Sequence, residues 1–138
     1  MAQTYSWDFN KLFAQQFKNL SIKDQDCILD FTDIFESHGL SDFTKYIGKI
    51  SPSWNGLDTN DEEQKERFDY ARGNNLWHYH VGLPAYVQNH GKYQTSDWVL
   101  HFQWKKGSNE LFIADMCYHY TEDGKFYLPT ENYLKKAG

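Results

Sequence analysis

The sequence predicts a single α+β domain over residues 1–138, with an N-terminal helical hairpin packed on one face of a small, mainly antiparallel sheet. Three observations predict it. Apolar residues before Gly39 recur at helical spacing, and from Leu76 onward the period changes to two. The stretch between is charged and rich in turn formers. The helical half covers about residues 8–72 and the sheet half about 76–138. With 138 residues, 40% of them hydrophobic and 18% aromatic, the chain has apolar area for one core and too much for disorder.

Each element has a local reason. A short first strand is expected around Tyr5. Phe9, Leu12, Phe13, Phe17 and Leu20 line one side of a first helix. Ser21 is placed to cap a second, with Asp24 at the capping-box position. Cys27, Ile28, Phe31, Ile34, Phe35 and His38 form its apolar stripe, and Gly39 ends it. The spacing allows a third short helix over Ser41–Ile50. SPSWNGLDTN, residues 51–60, reads as a loop. Asp61–Arg72 reads as a solvated helix or a mobile segment. LWHYHVGL is a strand closed by Pro84, and residues 84–96 read as a long polar loop. WVLHFQW and ELFIADMCYHY form a hairpin around KKGSN. Thr130–Lys136 is a terminal helix or tail.

Alternation sorts the strand residues onto two faces. Trp77, Tyr79, Val81 and Leu83 oppose His78 and His80. Trp98, Leu100, Phe102 and Trp104 oppose Val99, His101 and Gln103. Phe112, Ala114, Met116 and Tyr118 oppose Ile113, Asp115, Cys117 and His119. Grouping the large apolar sets against the helices collects His78, His80, His101, Gln103, Asp115 and His119 on the other face. The relative phase of the strands is an assumption, because a slip of one residue reverses a strand.

Composition narrows the function classes. The net charge is -5. Residues 1–66 carry 6 Lys/Arg against 12 Asp/Glu, and residues 67–138 carry 8 against 7. The acidity therefore belongs to the first half, and binding nucleic acid by bulk charge is disfavoured. MAQTYSWDFNKLF has no basic start and apolar run, so a signal peptide is not expected. No window approaches the roughly 18 apolar residues of a membrane span. Cys27 and Cys117 are expected as reduced thiols in the cytoplasm. Phosphate-binding glycine loops and a GxSxG elbow are absent from the sequence.

Two chemistries fit a face of histidines, whose side chain titrates near neutrality. In one, His78, His80, His101 and His119 move protons around a ribose 2′-hydroxyl and a leaving 5′-oxygen, cleaving RNA without a metal. Arg72, Lys92 or Lys125 would stabilise the crowded phosphate. In the other, His78 and His80, with His101 or His119, hold a divalent ion. The plain alternative is structural, with histidines used as amphipathic packing residues. Cys117 shares the face and leaves a Cys–His nucleophile open. Tyr118, Tyr120, Phe126 and Tyr127 gather near the end of the last strand, for packing or for stacking on unpaired bases.

The element order, together with LWHYHVGL, SDWVLHFQW and LFIADMCYHY, resembles the RelE/ParE toxin superfamily, and most of all a YafO-like branch. The resemblance implies a helical hairpin on one face of the sheet and a concave, RNA-holding opposite face. It implies a type II toxin that cuts messenger RNA on the ribosome, needs no cofactor or metal, and is silenced by a cognate antitoxin. Carried over by position, His78 and His80 match the strand supplying polar residues to the RNA face. His119 matches the catalytic end of the last strand, and Tyr120 or Tyr127 an aromatic near the scissile bond. His101 is added by strand parity, and Arg72, Gln103 and Lys125 complete the substrate contacts. Ribonuclease members are usually basic, whereas this chain is acidic. A ParE-like inhibition of gyrase also stays open. The competing expectation, from the acidic first half and its aromatics, is a non-catalytic binding protein: an immunity protein, antitoxin or inhibitor that masks a basic partner.

Overall fold

The computed structural model describes residues 4–81, 87–89, 93–95, 98–118 and 127–135. Its main sheet contains β1 (Ser6–Phe9), β2 (Ile50–Pro52), β3 (Leu76–His80), β6 (Trp98–Gln103) and β7 (Glu110–Tyr118). Strands β4 (Val87–Asn89) and β5 (Tyr93–Thr95) pair antiparallel as a separate ribbon. The main sheet runs β1-β7-β6-β3-β2. β1 lies parallel to β7, and the other neighbours are antiparallel. The α+β class is as expected; the ribbon falls where the sequence reads as an unbroken loop.

Three helices are described: α1 (Lys11–Lys18), α2 (Ile22–His38) and α3 (Glu62–Gly73). Asn10 starts α1, its Oδ1 accepting from the amides of Leu12 at 2.8 Å and Phe13 at 3.2 Å. Phe9 therefore belongs to β1 and not to the first helix. Ser21 caps α2 by accepting from the Asp24 amide at 3.2 Å. Gly39 ends it at φ 64 and ψ -156, a conformation open essentially to glycine alone, with the Tyr5 ring against its Cα. Asp61 caps α3, with Glu62 and Glu63 in the first turn and Arg72 in the last, matching the helix dipole at both ends. The expected third helix over residues 41–50 is a single 3-10 turn, Phe43–Lys45, and Ile50 instead begins β2.

α2 fills the core through Ile28, Phe31 and Phe35, all fully buried. The Phe31 ring lies 4.6 Å from Tyr79, 5.4 Å from Phe102 and 5.4 Å from Tyr46. These contacts place Trp77, Tyr79, Leu100 and Phe102 on the first face, as alternation predicts. β7 departs from simple alternation. His101 pairs with Asp115 but Phe102 pairs with Ile113, so Ala114 is the extra residue of a β-bulge. Leu111 and Ile113 thereby join the first-face core, and Phe112 moves to the second face opposite Gln103. Met116 stays on the first face, opposite Leu100, and Asp115 on the second.

Candidate functional site: a buried polar row on the second face

Cross-strand pairing sets Ser51, His78, His101 and Asp115 side by side across β2, β3, β6 and β7. Ser53 follows β2 on the same face, and its amide extends the pairing by donating to the Leu76 carbonyl at 2.9 Å. Its hydroxyl lies 3.1 Å from His78 Nδ1. The imidazoles of His78 and His80 have centroids 5.8 Å apart, and those of His78 and His101 6.3 Å. At the far end the Tyr127 hydroxyl donates to Asp115 Oδ2 at 2.6 Å, and its ring lies 5.3 Å from that of His101. The Met116 amide donates to Asp115 Oδ1 at 2.8 Å.

The row is inside the protein. His101 is 0% exposed, Ser53 3%, Asp115 5%, His80 6% and His78 7%. Residues 127–135 run over this face, fastened by hydrogen bonds and by Tyr133, which packs against the core. Besides the Tyr127 contact, the Tyr70 hydroxyl donates to the Pro129 carbonyl at 2.6 Å, and Asn10 Nδ2 to the Asn132 carbonyl at 3.1 Å. Gln16 Nε2 donates to the Tyr133 hydroxyl at 2.8 Å. Gln103 holds the end in both directions: its amide donates to the Lys135 carbonyl at 3.0 Å and accepts from the Lys135 amide at 2.7 Å.

Burial raises the Asp115 pKa, with the Tyr127 and Met116 hydrogen bonds opposing it. Burial and the neighbouring carboxylate raise that of Tyr127, so its hydroxyl stays a donor. The row thus assembles a serine hydroxyl, imidazoles, a carboxyl and a phenol, a set able to accept, hold and pass protons. Among the described residues, no three His, Cys, Asp or Glu side chains converge as metal ligands.

Of the residues singled out in sequence, His78, His80, His101 and Tyr127 are brought together, and Asp115 joins them. Gln103 lies next along β6 but spends its amide on Asn74 and Lys135. Arg72 is exposed on α3, its guanidinium carbon 5.9 Å from the Phe68 centroid. Lys92, His119, Tyr120 and Lys125 lie outside the described residues. Ser53 escaped the sequence reading; its signal is parity with Ser51, visible only once β2 is known to be a strand.

Beside the row, an open groove of about 800 Å³ lies on the same face. Its floor is the next cross-strand row, Asp8, Phe112 and Gln103. The start of α1, the turn between β6 and β7, Asn74–Asn75 and the chain from Asn132 to Lys135 form its sides. Among the described residues no helix is long and apolar enough to cross a membrane.

The chain matches no protein-family model, and comparison with curated proteins and with solved structures returns no match.

Proposed function

We propose that this chain is the toxin of a type II toxin–antitoxin pair, of RelE/ParE-like fold, acting in the cytoplasm as a metal-independent, ribosome-associated messenger-RNA endoribonuclease. The observation that carries the reading is the adjacency of His78 and His101 on paired strands, with Asp115 next in the row. In this reading one imidazole takes the proton of a ribose 2′-hydroxyl, the 2′-oxygen attacks phosphorus, and a second imidazole protonates the departing 5′-oxygen. The products are a 2′,3′-cyclic phosphate and a free 5′-hydroxyl. Tyr127, whose ring lies against His101 and whose hydroxyl is held by Asp115, is a positioning residue for that imidazole. His101 is buried with the Tyr127 ring 5.3 Å from its own, so in this reading Tyr127 moves aside to admit substrate. The ribosome supplies bound RNA, which suits a chain of net charge -5.

The test is tightly induced expression in bacteria, with growth followed and primer extension on a reporter message. Growth arrest with new cuts in translated RNA is expected. Replacing His78, His80, His101 and His119 together by Gln should abolish both. Cuts that persist in that variant, at equal soluble protein, reject the histidine chemistry. Arrest without cuts moves the target elsewhere, gyrase included.

A second reading has its own support. Asp26, Asp30 and Asp33 are exposed along α2, as are Asp61, Glu62 and Glu63 at the start of α3. Such a surface suits an immunity protein, antitoxin or inhibitor that covers a basic partner. Harmless expression with salt-sensitive binding to a basic nuclease, weakened by charge reversal at Asp61, Glu62 and Glu63, would establish it in place of the first.

A further inference from the structure

We propose that Asn55 is a self-modifying site: the backbone nitrogen of Gly56 attacks its carboxamide, and the asparagine becomes aspartate or isoaspartate in the turn that presents Ser53 to His78. The reaction is independent of the ribonuclease reading and needs no partner but water.

Asparagine is among the chemically labile residues, and its rate of loss depends on the residue that follows and on the freedom of both. Asn55 is the one asparagine in the sequence followed by glycine, which has no side chain to hinder the approach. Both residues are exposed and lie in the turn after β2. Among the described residues, the Gly56 amide donates no hydrogen bond and the Asn55 carboxamide makes none. Gly56 has φ 79, and a Cβ there would meet nothing within 4 Å, so the turn is open on this side. Other asparagines are held. The Nδ2 groups of Asn10, Asn19 and Asn74 donate to the carbonyls of Asn132, Gln15 and Tyr70.

The Gly56 nitrogen gives up its proton to water or hydroxide and attacks Asn55 Cγ. The N–Cγ bond forms, the Cγ–Nδ2 bond breaks, and Nδ2 leaves as ammonia with a proton from solvent. The product is a cyclic imide that spans the two residues. Water then opens the ring. Addition at Cγ breaks the new bond and gives aspartate. Addition at the backbone carbonyl breaks the old peptide bond and gives isoaspartate, whose main chain runs through the side-chain methylene. Nothing is oxidised or reduced. Either product leaves the chain one charge more negative than its present -5.

Short links tie this turn to the buried row. The Asn55 amide donates to the Pro52 carbonyl at 3.2 Å, and the Ser53 amide to the Leu76 carbonyl at 2.9 Å. The Ser53 hydroxyl lies 3.1 Å from His78 Nδ1, and the Trp54 ring 5.6 Å from that of Trp77. A methylene added to the main chain at Asn55 changes the spacing that closes the turn on Pro52. A new carboxylate stands in the same turn as the hydroxyl that contacts the imidazole. The modification is therefore felt at His78, through Ser53.

The test keeps the purified chain at physiological temperature and mildly alkaline pH and samples it over time. Peptide mapping by tandem mass spectrometry should show a gain of about 1 Da at Asn55 before any other asparagine. Isoelectric focusing should show a more acidic species, and hydroxylamine should cut between residues 55 and 56 while the imide is present. Asn55→Gln should lose all three signals. The folded chain should convert as fast as a synthetic peptide of residues 53–57. An Asn55 that outlasts the other asparagines, or converts far more slowly than in the peptide, overturns the site, because the Gly56 amide would then be held. The ring-proton NMR signal of His78 is followed alongside. It should move as conversion proceeds, and Asn55→Asp, which makes one product directly, should move it without ageing. A His78 signal unchanged both after full conversion and in Asn55→Asp overturns the link to the buried row.

Discussion

The Tyr127 hydroxyl donates to Asp115 Oδ2 at 2.6 Å, tying the C-terminal segment to the middle of β7 directly beside His101. A hydrogen bond to a carboxylate contributes about 1.5–3 kcal/mol when one partner is deleted from a buried setting. Tyr127→Phe keeps the ring against His101 and removes only the donor. Urea unfolding should show a loss within that range, discounted where Asp115 takes up a proton instead. Carbethoxylation of His101 by diethyl pyrocarbonate, read by mass spectrometry, should become faster in the variant. Equal rates in both proteins would mean that this bond does not hold the segment down.

The carboxyl of Asp115 gives stability a pH dependence of definite sign. Burial raises its folded pKa above the ordinary value of 3.8, so the folded state binds the proton more tightly than the unfolded chain. The resulting stabilisation is complete below 3.8 and is lost as pH rises through the elevated folded value. Asp115→Asn removes the titration. Unfolding free energies of the two proteins, compared across the acidic range, should therefore move in favour of the parent as pH falls. A difference independent of pH would contradict the burial of this group.

Gly39 ends α2 in a conformation closed to other residues, and a Cβ there would run into the Tyr5 ring. Gly39→Ala combines backbone strain of about 1–3 kcal/mol with displacement of an aromatic ring packed edge-on against Phe35. Thermal unfolding should fall clearly. Gly73→Ala, inside α3 where an added Cβ meets nothing, should be neutral or slightly stabilising.

Cys27 lies on α2 with its thiol pKa pushed above 9.0, first by burial and then by Asp30 and Asp24. Alkylation by iodoacetamide at neutral pH should be slower than that of glutathione, since the thiolate is the reactive form. Asp30→Asn should speed it modestly. A fast-reacting Cys27 would show that this turn of α2 opens.

Much of the fold was legible because it is written locally. Ser21 and Gly39 mark the ends of α2, and the β6–β7 hairpin follows from alternation around a turn. What escaped depends on distant partners. Phe9 has helical spacing with Phe13 and Phe17, yet β7 recruits it into β1. Ile50–Pro52 is a strand only because β3 offers an edge. The histidine face was readable from parity, and His101 and Asp115 do stand together. The phase of Phe112 and Ala114 was not readable, since an extra residue in a bulge leaves no composition signal. Nor was the burial of the face, which depends on where residues 127–135 run.

The parallel pairing of β1 with β7 carries a consequence for how the molecule is made. Ser6 meets Glu110 and Phe9 meets Ile113, so a strand from the start of the chain waits for one near its end. Closing so large a loop is entropically unfavourable, and only the contacts of Trp7 with Glu36 and of Tyr5 with Phe35 on α2 hold this segment nearer in sequence. During synthesis from the N-terminus, β1 emerges early and stays unpaired until β7 has left the ribosome. The antiparallel strands can assemble first, with β1 completing the sheet last. The groove whose floor includes Asp8 is therefore incomplete until β1 has joined β7.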